Sequence, residues 1–135
     1  MSNVLYDTGR NAFLTGSINW LSAPIWGVLV DTGLYTPNFA TDQYLSVIPV
    51  GALISTAGPL TGMSASAGVA DAADLSFTAV SGSTVEAVLL YVNSGVPGTS
   101  QLIAYIDTAA GLPFTPSGGN VAIQWDNGAN KIFKL

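Results

Sequence analysis

From Val85 to Val92 the chain reads Val-Glu-Ala-Val-Leu-Leu-Tyr-Val, apolar everywhere except Glu86. Side chains of a strand alternate between its two faces. Val85, Ala87, Leu89 and Tyr91 therefore share one face, and Glu86, Val88, Leu90 and Val92 the other. A strand that is apolar on both faces has to be covered on both. Thr84 to Val92 is thus expected in the middle of a sheet with material packed on each side. Gln101 to Asp107 has the same character, with Leu102, Ala104 and Ile106 opposite Ile103 and Tyr105. It is expected to pair with the preceding strand through Asn93 to Ser100.

Shorter strands are expected elsewhere. Ile25 to Val30 is an apolar run closed by Asp31-Thr32-Gly33, and Leu53 to Thr56 and Ser64 to Ala67 flank a Gly58-Pro59 break. Leu75 to Val80 alternates before the turn Ser81-Gly82-Ser83. Val121 to Trp125 and Lys131 to Leu135 read as a hairpin around Asp126-Asn127-Gly128-Ala129-Asn130. Two short helices are expected. One lies between Thr8 as cap and Gly16 as terminator. The other runs from Thr41 or Asp42 to Pro49, with Tyr44, Leu45 and Ile48 on one face. With 135 residues and no linker or long internal repeat, the chain reads as a single domain over 1–135: mainly β, a sandwich-like antiparallel fold with two short helices.

Charge limits what such a domain can do. Asp and Glu number 8, Lys and Arg 3, and together they make 8% of the chain against roughly 25% in an ordinary soluble domain. Surface scaling gives a monomer of this mass about 6,600 Å², or roughly one charge per 600 Å². So bare a surface points to a protein that covers much of itself with partners. The formal net charge is −5, and Arg10, Lys131 and Lys134 are the entire basic complement, which argues against nucleic acid as a partner. No apolar run reaches the roughly 18–20 residues of a membrane-spanning helix. Met1 to Leu5 shows neither the basic flank nor the apolar region of a secretory signal.

Histidine and cysteine are both absent, removing imidazole bases and ligands, thiolate nucleophiles and disulfides. The sharpest enzymatic pattern left is Asp-Thr-Gly, at Asp7-Thr8-Gly9 and Asp31-Thr32-Gly33, with Asp107-Thr108-Ala109 as a near copy. The second follows Val28-Leu29-Val30 and resembles the catalytic loop of aspartic proteases. That chemistry needs two carboxylates sharing a proton, one from each subunit of a retroviral-type dimer. Three occurrences at element boundaries favour turn punctuation, in which Asp bonds back to the backbone. Asp71 and Asp74, or Asp126 with Asn127 and Asn130, offer too few oxygens for calcium. Glu86 is expected to enter an ion pair, across the sheet or an interface, with Arg10 or a lysine. No catalytic residue, cofactor or metal is expected.

Aromatic residues gather early, at Trp20, Trp26, Tyr35, Phe39 and Tyr44, and Trp20 to Trp26 carries no charge. Aromatic anchors are enriched in interfaces, so Trp20, Pro24, Ile25 and Trp26 are the candidate interface. A sugar-binding aromatic platform is the weaker alternative for the same segment.

Arg10 to Trp20 (Arg-Asn-Ala-Phe-Leu-Thr-Gly-Ser-Ile-Asn-Trp) resembles the opening of small virion proteins of tailed bacteriophages. The resemblance continues at Leu29-Val30-Asp31, Tyr35-Thr36-Pro37, Leu102 to Asp107, Trp125 to Gly128 and Lys131 to Leu135. It implies a structural role in the particle and carries over no catalytic residue. Joined to the charge deficit, it leads to the expectation of a capsid decoration (cement) protein, located in the virion and assembled in the host cytoplasm. Its expected partners are the major capsid protein and further copies of itself, as a homotrimer. A tail or head–tail junction component is the first alternative; a carbohydrate-binding surface module and an aspartic peptidase are those of other classes.

Overall fold

The computed structural model describes residues 3–135; Met1 and Ser2, where the segment read for a secretory signal begins, lie outside. Its elements in chain order are β1 (Val4–Leu5), α1 (Asp7–Leu14), β2 (Ile25–Val30), β3 (Leu53–Ala57), β4 (Ser64–Ser66), β5 (Val69–Asp71), β6 (Leu75–Phe77), β7 (Ala87–Val92), β8 (Leu102–Ile106), β9 (Val121–Ile123) and β10 (Phe133–Lys134). Three antiparallel sheets result: β1-β8-β7-β2-β3, β10-β5-β4 and β6-β9. The fold is mainly β, and β7 is central as its two apolar faces require. It pairs with β8, Leu90 opposite Ala104, and with β2, Val28 opposite Leu89.

The two faces of this sheet have separate cores. On one, Ile25, Leu29, Val88, Leu90, Ile103 and Ile106 pack with Leu75 and Phe77 of β6, Ile123 of β9, and Phe133 of β10. The small sheets form this layer. On the other, Val28, Val30, Ala87, Leu89, Tyr91, Leu102 and Tyr105 meet no sheet at all. Leu45, Ile48 and Ala52, from an irregular arm over 31–52, cover them together with Tyr6 and Tyr35. The arm starts from β2 and crosses to the N-terminal end of β8, where Leu102 N–H donates to Gln43 O (2.8 Å) and Leu45 N–H to Ser100 O (2.9 Å). It then returns to β2, where Asp31 N–H donates to Ala52 O (3.0 Å).

The first expected helix forms, and Gly16 at φ +77° lies just beyond its end. Its cap is Tyr6 rather than Thr8, whose hydroxyl instead donates to Asp42 O at 3.0 Å. Gly9 lets the helix lie directly on β8, because a Cβ there would meet Leu102 O at 2.8 Å. The second helix does not form. Leu45–Val47 and Val50–Ala52 are separate 3-10 turns, parted by Pro49. The backbone is extended at Tyr44 and at Ile48, which confines the helical conformation to a single turn between them. The C-terminal hairpin is corrected too. β9 pairs with β6, Val121 opposite Phe77, and β10 with β5, Phe133 opposite Ala70. No helix among the described residues is long and apolar enough to cross a membrane.

Candidate interaction surface

The four residues singled out for contact divide in the fold. Trp20 is 6% exposed and belongs to the protein's own core. Its indole N–H is shared between Ser64 O (3.0 Å) and Asp71 O (3.2 Å), and its ring meets Phe133 edge-on at 5.2 Å. It anchors the β10-β5-β4 sheet to the loop after α1. Ile25 is fully buried on the inner side of β2. Neither presents a surface to a partner, because a charge-free aromatic segment serves a core as readily as an interface. Pro24 is exposed and Trp26 half-buried. The Trp26 ring lies over Gly58, where a Cβ would approach it to 2.6 Å.

Large apolar side chains stand exposed at Leu14, Leu21, Val96 and Leu135, and three more lie on the outside of the arm. Val50 is 85% exposed, Leu34 54% and Val47 46%. Leu34 lies beside Gly51, its Cδ1 being 3.8 Å from where a Cβ would stand. No charged residue occurs from Gln43 to Ala70. One signal for this surface was present in the sequence. The helical face of Tyr44, Leu45 and Ile48 leaves Val47 outside it. Val50 and Leu34 follow no periodicity and give no such signal.

A buried polar chain fixes the arm from below. Tyr6 and Tyr35 share a hydrogen bond between hydroxyls at 2.9 Å, and Tyr35 donates to Asp42 Oδ2 at 2.6 Å. The same oxygen accepts Asn38 N–H at 2.9 Å. Phe39 closes over the chain, 5.2 Å from the Tyr6 ring and 5.7 Å from Tyr105. Burial, above all, pushes both hydroxyls far above the ordinary tyrosine value; for Tyr35 the bond to Asp42 adds to it. They are donors held in place, not acids in use.

Asp31, Glu86, Asp74 and Asp126 each accept a backbone N–H. Asp31 Oδ1 accepts Gly33 N–H at 2.8 Å, and Glu86 Oε2 accepts Thr32 N–H at 3.0 Å. Two carboxylates thus sit on consecutive backbone donors of one turn. Within the chain Glu86 makes no ion pair: among the described residues the one ion pair joins Arg10 to Asp7, 3.0 Å apart on the exposed face of α1. Asp126 Oδ1 accepts Gly128 N–H at 3.0 Å, and Asp74 Oδ1 accepts Trp125 N–H at 3.1 Å. No group of three or more metal-ligating side chains forms among the described residues. A cleft of about 540 Å³ lies between α1 and residues 43–44 and 99–101, lined by hydroxyls, amides and Asp7. Gln101 Nε2 bridges its floor to Thr8 Oγ1 (3.2 Å) and Gln43 O (3.1 Å).

No family model matches the chain, and no curated protein matches it.

Proposed function

We propose that this is a non-catalytic structural protein of a phage particle, a decoration protein that binds the outer capsid lattice and bridges its subunits. The observation that carries the reading is the arm: Leu34, Val47 and Val50 stand exposed on a segment pinned by hydrogen bonds, the two valines within a charge-free stretch from Gln43 to Ala70. Pinning lowers the ordering cost of association, which favours a surface built for contact. Many copies on a lattice add their weak contacts into firm attachment. The likeness of Arg10 to Trp20 and of Leu102 to Asp107 to small phage virion proteins supplies the particle as the setting. In this reading the carboxylates shape turns and keep the assembled surface acidic.

Co-sedimentation with expanded empty capsids tests it, followed by counting copies per particle from quantified protein bands. Saturable binding with hundreds of copies on heads is expected. Protein that stays with isolated tails, or ignores capsids at high concentration, overturns the decoration reading.

A further inference from the structure

All three cations of the chain line one depression. Arg10 comes from α1, and Lys131 and Lys134 from the C-terminal segment; Ile132 and Phe133 form part of its lining, and the volume is about 270 Å³. Asp126 also lines it, with one oxygen already on Gly128 N–H. Neither lysine makes an ion pair among the described residues, in a chain where acids outnumber bases 8 to 3. Two lysines without an ion pair among the described residues, where carboxylates are in excess, are a site for someone else's.

The matching surface is on the same chain. The turn after β2 holds Asp31 and Glu86 on neighbouring N–H groups with no cation among the described residues paired to either, and Leu34 exposed beside them. We propose that the groove of Arg10, Lys131 and Lys134 receives the Asp31–Glu86 turn of a second copy, Leu34 included. The groove lies beside β1, at one edge of the sheet order, and the turn follows β2, near the other edge. The two patches are distinct, so the contact is heterologous, each copy giving its groove to one neighbour and its turn to another. Such contacts close into rings when the rotation permits, which gives the homotrimer expected from the sequence a specific joint. This rests on the particle-bound reading above and adds to it a contact between copies.

The test is association of the purified full chain by sedimentation velocity. Wild type is expected to form trimers at low salt and to weaken roughly tenfold or more at high salt, as exposed charge contacts do. Lys131→Gln/Lys134→Gln removes the groove charge. Asp31→Asn/Glu86→Gln removes the turn charge while keeping oxygen acceptors for Gly33 and Thr32. Each variant alone is expected as monomer, and their equimolar mixture as a one-to-one dimer, since only one working contact remains between them. Arg10→Gln, on a different element, is expected to weaken trimers as well and keeps the test valid should the lysine pair disturb β10. Trimers unaffected by salt or by these variants, or a wild type that stays monomeric at low salt, overturn the proposal. Wild type that binds capsids yet never self-associates overturns this contact alone; trimers that ignore capsids overturn the capsid reading alone.

Discussion

The two faces of the central sheet are covered by opposite means. One carries small sheets whose apolar side chains interlock with Leu90, Ile103 and Ile106, and that layer keeps Trp20 and Trp125 within its core. The other carries the arm, which contains no strand or α-helix and is fixed by a few inward side chains and by the Tyr6–Tyr35–Asp42 chain. The difference teaches how a chain with so little charge divides its apolar residues. Where strands pack, nearly all of them are consumed by the core. Where an irregular segment packs, Leu45, Ile48 and Ala52 turn in and Val47 and Val50 turn out, so the same stretch is both core and surface.

Breaking the interlocked face has the largest expected effect. Ile103→Ala removes a fully buried side chain beside the backbone on which Gly9 rests, and costs about 3 kcal/mol, read as a lowered midpoint in urea unfolding. A loss under about 1 kcal/mol would show that this layer is loosely packed.

The arm responds to a smaller change. Tyr35→Phe leaves the Tyr6 hydroxyl without its hydrogen-bond partner and takes one donor from Asp42, costing about 1–3 kcal/mol. Its pH signature is specific. Both hydroxyls titrate higher in the folded than in the unfolded protein, so their stabilisation is complete below about pH 10 and is lost as pH rises beyond it. Wild type is expected to lose stability in that alkaline range, and Tyr35→Phe to show a shallower loss when unfolding is followed from pH 8 upward. Equal slopes would remove the network from the account of the arm.

The same contrast decides what was legible in the sequence. β7, β8 and β2 were, because continuous apolar runs mark buried strands, and β7 and β8 lie close enough along the chain to name each other; the distant pairing of β2 with β7 was not. The helix over 41–49 satisfied helical spacing, yet Gln43 to Leu45 pair instead with Ser100 to Leu102, a long-range partner that spacing does not encode. The C-terminal hairpin had a convincing turn in Asp126 to Asn130, which does form its Asp126–Gly128 bond. β9 and β10 nonetheless pair with distant β6 and β5, since two- and three-residue strands carry too little pattern to name a partner. At the surface, charge-free aromatics looked alike in the sequence. Only the fold separates buried Trp20 and Ile25 from half-buried Trp26 and exposed Pro24.

The outward side of the arm gives the smallest effect on stability and the largest on assembly. Val47→Asp/Val50→Asp is expected to shift unfolding by no more than about 1 kcal/mol, since Val50 stands mainly in solvent and Val47 about half in it. Co-sedimentation of this variant with expanded empty capsids, beside wild type and a Ser117→Asp control, tests the role of the arm most directly. The account predicts that the arm variant stays in the supernatant while wild type and the control pellet with the capsids. Equal pelleting of all three would contradict it.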